Sequence, residues 1–208
     1  MVNIPKQIIQ VWLQGPVSDK IKNNLLLLNP SYKYYFFTEK ECLKYIETHF
    51  PSQIVDTFHN LKKPAHKSDL FRYCFLYREG GIYIDVDLEF KVPCDYIISN
   101  ANSSFISAIG AHSNHNFGEC TNGLIFTEPS NDIFLHLINF IIRNQNPTDY
   151  GLYVKDLYNK LSPKTPYKSY EINNLSYYLY REVRLAGKYY IVDSSSNIIV
   201  NTNGHNYV

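Results

Sequence analysis

Asp85 and Asp87 stand two residues apart in GGIYIDVDLEF, residues 80–90, a stretch that otherwise reads as a buried strand. Ile82, Ile84, Val86 and Leu88 alternate with Tyr83, Asp85, Asp87 and Glu89. At period two, one face is aliphatic and the other carries three carboxylates in a row. Neighbouring like charges repel, so such a row is tolerated where water or a cation screens it. Hard oxygen ligands of this kind suit magnesium or manganese. The cysteines, Cys42, Cys74, Cys94 and Cys120, are irregularly spaced and form no C-x-x-C pair, which indicates neither a zinc site nor a disulfide framework.

A second pair of reactive groups precedes the acidic stretch. Asp69 and Arg72 lie at i and i+3 on one face of a helical segment, a spacing that by itself means no more than a local ion pair. The connection from that helix to the acidic strand is only Gly80-Gly81, so the two elements must be antiparallel neighbours. The polar helical face and the acidic strand end then share one crevice, where ligands of open α/β sheets bind.

The elements that would position these groups alternate along the chain. Residues 7–13 read as a strand with Ile9, Val11 and Leu13 on one face and Gln10, Trp12 and Gln14 on the other. Gly15-Pro16 breaks it, and Ser18 caps a helix that runs to Leu28 and stops at Asn29-Pro30. A strand over 33–37, helices over 38–49 and 51–61, and the helix beginning at Pro64 and ending at Gly80-Gly81 follow. Strands are expected at 82–85, 104–108 and 123–127, and a helix capped by residues 129–132 runs to Ile142. Residues 150–184 read as helical and tyrosine-rich, broken near Pro163 and Pro166, before short strands at 189–192 and 198–200. Strands and helices alternating at this density argue for an α/β sandwich.

The bulk numbers narrow the function. A chain of 208 residues, 45% hydrophobic, is long enough for one substantial core and is read as a single domain over 1–208. Lysine plus arginine number 20 against 19 acids, with no basic run, which gives no reason to expect a nucleic acid partner. The cysteines read as buried thiols of a reducing compartment. MVNIPKQIIQVWLQG has no secretory leader, and no apolar run approaches ~20 residues, so a soluble, cytoplasmic protein without a transmembrane segment is expected.

The longer string SDLFRYCFLYREGGIYIDVD, residues 68–87, resembles the signature of glycosyltransferase family 32, the D-x-D sugar transferases. That family includes fungal initiating mannosyltransferases and bacterial capsule enzymes, with the large clostridial glucosylating toxins more distant. Its pattern S-D-hydrophobic-x-R-Y…L-Y-x-x-G-G-x-Y-x-D-x-D is met at every fixed position. The family's opening I-P-K-x-I-H-Q-x-W is matched by Ile4, Pro5, Lys6, Ile8, Gln10 and Trp12. Ile9 stands where histidine is usual and reads as a packing substitution toward the core. Asn29-Pro30 with Tyr32 and Tyr34 resembles the N-P-x-Y-x-Y step, and the segment from Asn122 to Pro129 resembles, more loosely, a later family motif. The resemblance covers about the first 130 residues.

This resemblance implies a GT-A fold, a Rossmann-like nucleotide-sugar-binding domain with a mixed central sheet. Residues 1–130 would be the donor and metal part and 131–208 a helical acceptor-side part with the C-terminal tail. It implies a retaining hexosyltransferase using a UDP- or GDP-sugar, with manganese or magnesium as cofactor and a glycan or other hydroxyl acceptor. Asp87 would bind the metal directly, and Asp85 would contact ribose and sugar and reach the metal less directly. Asp69 and Arg72 would hold sugar hydroxyls, and Trp12 would stack on the nucleobase, as a flat ring on a polar strand face can. The other motif positions, Gln10, Gly81, Tyr83 and Asn122, fall to the donor pocket. His205 in the C-terminal tail is a candidate third metal ligand, by analogy with related transferases. His112 and His115 read as a solvated loop near the acceptor, and Lys62, Lys63 and Lys67 as a solvated basic turn. Two other classes compete: a two-metal phosphoryl or nucleotidyl transferase, for which no phosphate-cradling glycine loop is present, and a non-catalytic nucleotide-sugar-binding protein. The base, the sugar, the acceptor and the oligomeric state are left open. A bacterial or viral cytoplasmic enzyme, in host cytoplasm or virion if viral, or an excised catalytic domain, fits the length.

Overall fold

The computed structural model describes residues 2–14, 19–110, 120–161, 165–172 and 175–202. Seven helices and ten strands are distributed over these residues, and the strands join one mixed sheet. Strand β1 (Gln7–Val11) lies between β2 (Lys33–Phe37) and β3 (Gly81–Ile84), parallel to both. Beyond β3 the sheet continues antiparallel through β6 (Leu124–Thr127) to β5 (Phe105–Ile109), which runs parallel to β8 (Leu175–Leu185). The far end is antiparallel: β8, β9 (Lys188–Val192), β10 (Ile198–Thr202) and β4 (Leu88–Phe90), with β7 (Ser169–Ile172) hairpinned onto β8.

Period-two alternation sends successive residues of the central strands to opposite faces, and both faces are covered. Ile8, Ile82 and Ile84 enter one apolar cluster, shared with Leu25 of helix α1 (Asp19–Leu28) and Ile97 of α5 (Cys94–Ala101). Ile9 and Tyr83 enter the other. That second cluster is built by α2 (Glu39–His49), α3 (Ser52–Asn60), α4 (Pro64–Glu79), α6 (Asp132–Arg143) and α7 (Leu152–Leu161). Ile9 is fully buried there, as its reading as a packing residue requires. All four cysteines are buried free thiols.

Helix α4 is the element on which the site rests. Pro64 opens it at a position where the missing N–H costs nothing, and Gly80 closes it with φ +64°. From His66 to Leu76 every residue except Lys67 is buried, which is what a helix apolar on nearly all sides achieves between a sheet and other helices. Its polar residues are therefore carried inside with it.

Three expectations are corrected. The acidic stretch is not one continuous strand: β3 ends at Ile84, and a turn closed by Leu88 N–H donating to the Asp85 carbonyl (3.1 Å) leads into β4. The alternation is real, with Val86, Leu88 and Phe90 buried, but it spans a turn. Glu89 consequently leaves the acidic row and pairs with Lys91 (2.8 Å) and Asn24 (2.5 Å). Residues 150–184 are not one interrupted helical region: among the described residues only Leu152–Leu161 is helical, and strands follow. LSYYLYREVRL forms β8, where Tyr177 and Leu179 face one core and Tyr178 and Tyr180 the other. Aromatic residues alternating between two apolar layers favour a strand over a helix. Finally, β4 and α5 are elements that the sequence reading did not include. The expected Ser18 cap and the Pro163 break lie outside the described residues.

Gly80 carries the helix-to-strand reversal. A Cβ there would lie 2.6 Å from Pro129 N and 2.9 Å from the Thr127 carbonyl, on a backbone conformation that side chains avoid. Gly80→Ala should destabilise the fold by about 3 kcal/mol, read as a lowered urea midpoint with an unchanged m-value.

Candidate functional site

Helix α4 and the end of β3 meet as their two-glycine connection requires, and a cleft of about 500 Å³ opens above them. Ser68, Asp69 and Arg72 from α4, Asp85 and Asp87 from the turn after β3, and Asn122 line it. Trp12, Leu13 and Gln14, just past β1, form another part of the wall. The carboxyl ends of β1 and β3 thus face the cleft together, since the two strands are parallel.

Arg72 is the hub. Its guanidinium lies 3.4 Å from Asp69 Oδ1 and 3.4 Å from Asp85 Oδ1, and it donates to the Asn122 carbonyl at 2.5 Å and to Ser68 Oγ at 3.3 Å. It also stacks on the Tyr83 ring, 4.1 Å from the centroid. With 5% of its surface exposed, this is no surface ion pair of a few tenths of a kcal/mol. Removing one partner of a buried pair leaves an uncompensated charge and costs about 3–5 kcal/mol. Burial works against the Arg72 charge, but Tyr83, Asp85 and Asp69 around it keep the guanidinium firmly protonated.

Asp69 is held differently. Burial pushes its carboxyl up to about 6, Arg72 opposes that, Asp85 adds to it, and the hydrogen bond from Asn122 lowers it again. Asn122 Nδ2 donates to Asp69 Oδ1 at 2.7 Å, and the Asn122 carbonyl oxygen Oδ1 accepts from the Tyr73 hydroxyl at 2.9 Å. The amide therefore has a fixed orientation. Asp85 is fixed from three sides: Tyr83 OH donates to Oδ1 at 2.6 Å, its N–H donates to the Gly123 carbonyl at 2.8 Å, and Gln10 Nε2 reaches its carbonyl at 3.4 Å. Gly123 leaves the room for it, because a Cβ there would overlap the Asp85 carboxylate.

Among the residues anticipated from sequence, Trp12, Asp69, Arg72, Asp85, Asp87 and Asn122 come together at the cleft. Tyr83 is fully buried behind it, touching Arg72 and Asp85. Gln10 does not line the cleft: it is fully buried and bonds Tyr34 (2.9 Å) and the Asp85 backbone. Gly81 sits at the opposite end of β3 from the turn, with φ +102° and Gln7 so close that a Cβ would clash. Its role is the tight strand start, a correction to its placement at the donor. The basic turn also stays off the cleft wall, with Lys67 pairing Glu39 and Lys63 lying over Tyr150. His205, His112 and His115 lie outside the described residues. Ser68, Tyr73 and Gly123 were missed. Ser68 and Tyr73 are fixed positions of the motif beside Asp69 and Arg72, and Gly123 follows Asn122.

Residues 16–104 match the family model described as a glycosyltransferase sugar-binding region containing a DXD motif. The D-x-D glycosyltransferases are the family this chain resembles. The mannosyl phosphorylinositol ceramide synthase SUR1 of Saccharomyces cerevisiae is 36% identical over 87 residues, 40% of this chain and 22% of that protein. The initiation-specific alpha-1,6-mannosyltransferase of Candida albicans is 34% identical over 107 residues, 47% of this chain and 28% of that protein. The chain thus spans about a quarter of the length of these two fungal relatives. A solved structure, PaToxG Glycosyltransferase, superposes with a TM-score of 0.52 at 16% identity, covering 76% of this chain and 70% of that one. The fold is α/β of the GT-A type, with a mixed and curled central sheet. No helix among the described residues is long and apolar enough to cross a membrane.

The raised Asp69 carboxyl makes a measurable prediction. In the metal-free protein its 13C carboxyl resonance should titrate with a midpoint of about 6, and Asn122→Ala should move that midpoint upward by removing the bond that lowers it. The linked stability has a definite sign. A native value above the unfolded one favours the folded state below the unfolded value near 4, and that contribution is lost as pH rises through about 6.

Proposed function

We propose that this chain is a metal-dependent, retaining hexosyltransferase that moves a sugar from a nucleoside diphosphate donor to a hydroxyl of a glycan or glycolipid acceptor. The observation that carries this reading is the cluster in which buried Arg72 holds buried Asp69 and half-exposed Asp85 on the wall of a cleft that Asp87 and Trp12 also line. One relative named above is described as a mannosyltransferase and the other as a mannosyl phosphorylinositol ceramide synthase, which makes GDP-mannose the first donor to test and UDP-sugars the second.

In this reading Trp12 stacks on the base, and Asp69, aimed by Asn122, accepts hydrogen bonds from sugar hydroxyls. Arg72 gives most of its N–H donors to protein oxygens, so it acts chiefly by holding Asp69 and Asp85, with little left for the sugar. Asp85 and Asp87 would hold Mn2+ or Mg2+. Their chemistry fits a hard cation, and magnesium-type sites commonly take one or two carboxylates with substrate phosphates and water filling the rest. Among the described residues no three His, Cys, Asp or Glu side chains form a ready-made metal cluster. When bound, the ion supplies Lewis-acid neutralisation of the leaving diphosphate.

Asp69, Asp85 and Asp87 are the carboxylates on the cleft wall among the described residues, and each already has a role. A dedicated protein nucleophile or base is not required. The C1–O bond to the diphosphate breaks, the acceptor oxygen bonds C1 from the same face, and the hydroxyl proton passes to the departing phosphate oxygen. Positioning in the cleft supplies most of the acceleration. Residues 1–130 serve the donor and 131–208 the acceptor. His205, the third ligand that the sequence reading nominated, would join the metal.

The test is a donor panel with Mn2+, reading released nucleoside diphosphate. Asp87→Asn should lower turnover by about 100-fold with the circular dichroism spectrum unchanged, and His205→Ala should raise the Mn2+ concentration needed for half-maximal rate. Pyrophosphate release, saturable donor binding without turnover, or full activity in Asp87→Asn would each overturn the assignment.

A further inference from the structure

The cleft has a second aromatic side that the donor does not account for. Tyr150, in the loop between α6 and α7, lines the same cavity as Asp69, Asp85 and Asp87, yet 64% of it is exposed. Gly151 and Val154 line it beside Tyr150. All three come from the part of the chain that lies outside the family match at residues 16–104.

The Tyr150 ring is seated on helix α4. His66 lies 5.6 Å from it, tilted by 36°, and meets Tyr153 edge-on at 4.9 Å. This histidine is fully buried. Packed against both Tyr150 and Tyr153, the ring fixes the Tyr150 loop to the helix that carries Asp69 three residues on. The surroundings of Tyr150 are polar. The Lys63 ammonium stands 5.3 Å from the ring centroid, and Asp149, exposed, pairs with Lys155 at 2.7 Å. An aromatic ring 64% exposed and flanked by charged groups suits a ligand with one apolar face and a polar rim, which a pyranose is and an alkyl chain is not.

We propose that Tyr150 is the acceptor platform: a pyranose ring of a carbohydrate acceptor stacks on its phenol ring and presents a hydroxyl to the Asp69–Asp87 side of the cleft. This rests on the transferase reading above. Lys63 and Asp149 then meet the acceptor's outer hydroxyls. The specificity of the acceptor is set by this loop, and that of the donor by α4 and β3.

The test uses wild type, Tyr150→Ala and Tyr150→Phe, with GDP-mannose or a UDP-hexose and Mn2+, and methyl α-mannopyranoside or methyl α-glucopyranoside as acceptor. The measured quantity is the ratio of disaccharide formed to free sugar released by water. That ratio should fall about tenfold in Tyr150→Ala and be largely kept in Tyr150→Phe, since the ring face does the work. Thermal melting confirms that both variants are folded. An unchanged ratio in Tyr150→Ala overturns the platform, as does a result in which that variant loses GDP or UDP affinity instead, which would put the nucleobase there. A wild type that releases no nucleoside diphosphate from any donor sinks the transferase reading separately. Saturation transfer to the two glycosides then decides the platform by itself: loss in Tyr150→Ala supports it, and equal transfer refutes it.

Discussion

A guanidinium cannot be buried alone. Arg72 has only 5% of its surface exposed, and the free energy of stripping water from an isolated charge far exceeds a domain's net stability. Every nearby feature answers that constraint. Asp69 and Asp85 bring opposite charge, the Tyr83 face brings its quadrupole, and the Asn122 carbonyl and Ser68 accept hydrogen bonds. Two carboxylates around one guanidinium overshoot, and part of the excess shows as the raised Asp69 carboxyl. In the proposed reading a divalent cation would relieve that excess and, at the same moment, admit a diphosphate that the carboxylates would otherwise repel.

Meeting that constraint requires backbone in unusual places. Arg72 and Asp85 can touch because α4 turns into β3 within two residues, and Gly80 and Gly81, both at positive φ, are crowded by Pro129 and Gln7. Asp85 can take its rotamer because Gly123, across the sheet on the strand side, has no side chain. Three glycines that look like loop punctuation in the sequence thus secure the approach of one helix, one strand and one turn.

Legibility followed the range of the interactions. Helix α4 was readable to its last residue, because proline at the start and glycine at the end are local signals. The pairing of Asp69 and Arg72 with the acidic turn was readable too, since a two-residue connection leaves the chain no other course. The run SDLFRYCFLY also contained the sign that the ion pair would be buried, apolar residues on nearly every side, although the spacing alone read as a surface pair. Glu89 was misread because its period-two position is right while the strand it was assigned to ends five residues earlier, and only partners distant in sequence, β10 for β4 and Asn24 for the carboxylate, reveal that. The same reason applies to β8: its tyrosines read as a helical face until two cores stand on either side of it. Tyr73 is marked by the motif, next to Arg72, but its bond to Asn122, 49 residues away, was not readable from sequence.

The divergent C-terminal third is tied to the acidic turn by one further pairing. The family match ends at residue 104, yet β4, which begins directly after Asp87, has β10 as its strand partner, in the register Leu88 to Thr202 and Phe90 to Val200. The chain on the far side of Asp87 is therefore held by the last described strand of the molecule, whereas the chain before Asp85 is held by β1 and β6. The two aspartates answer to different parts of the fold. Asp85 is locked by the β1–β3–β6 part of the sheet and by Arg72, and Asp87 sits where the chain passes from that part to the β10 end. A change in the C-terminal strands can then shift Asp87 relative to Asp85 without disturbing the Arg72 cluster, which makes the geometry between the two carboxylates, more than either residue, the quantity that the divergent region is free to tune.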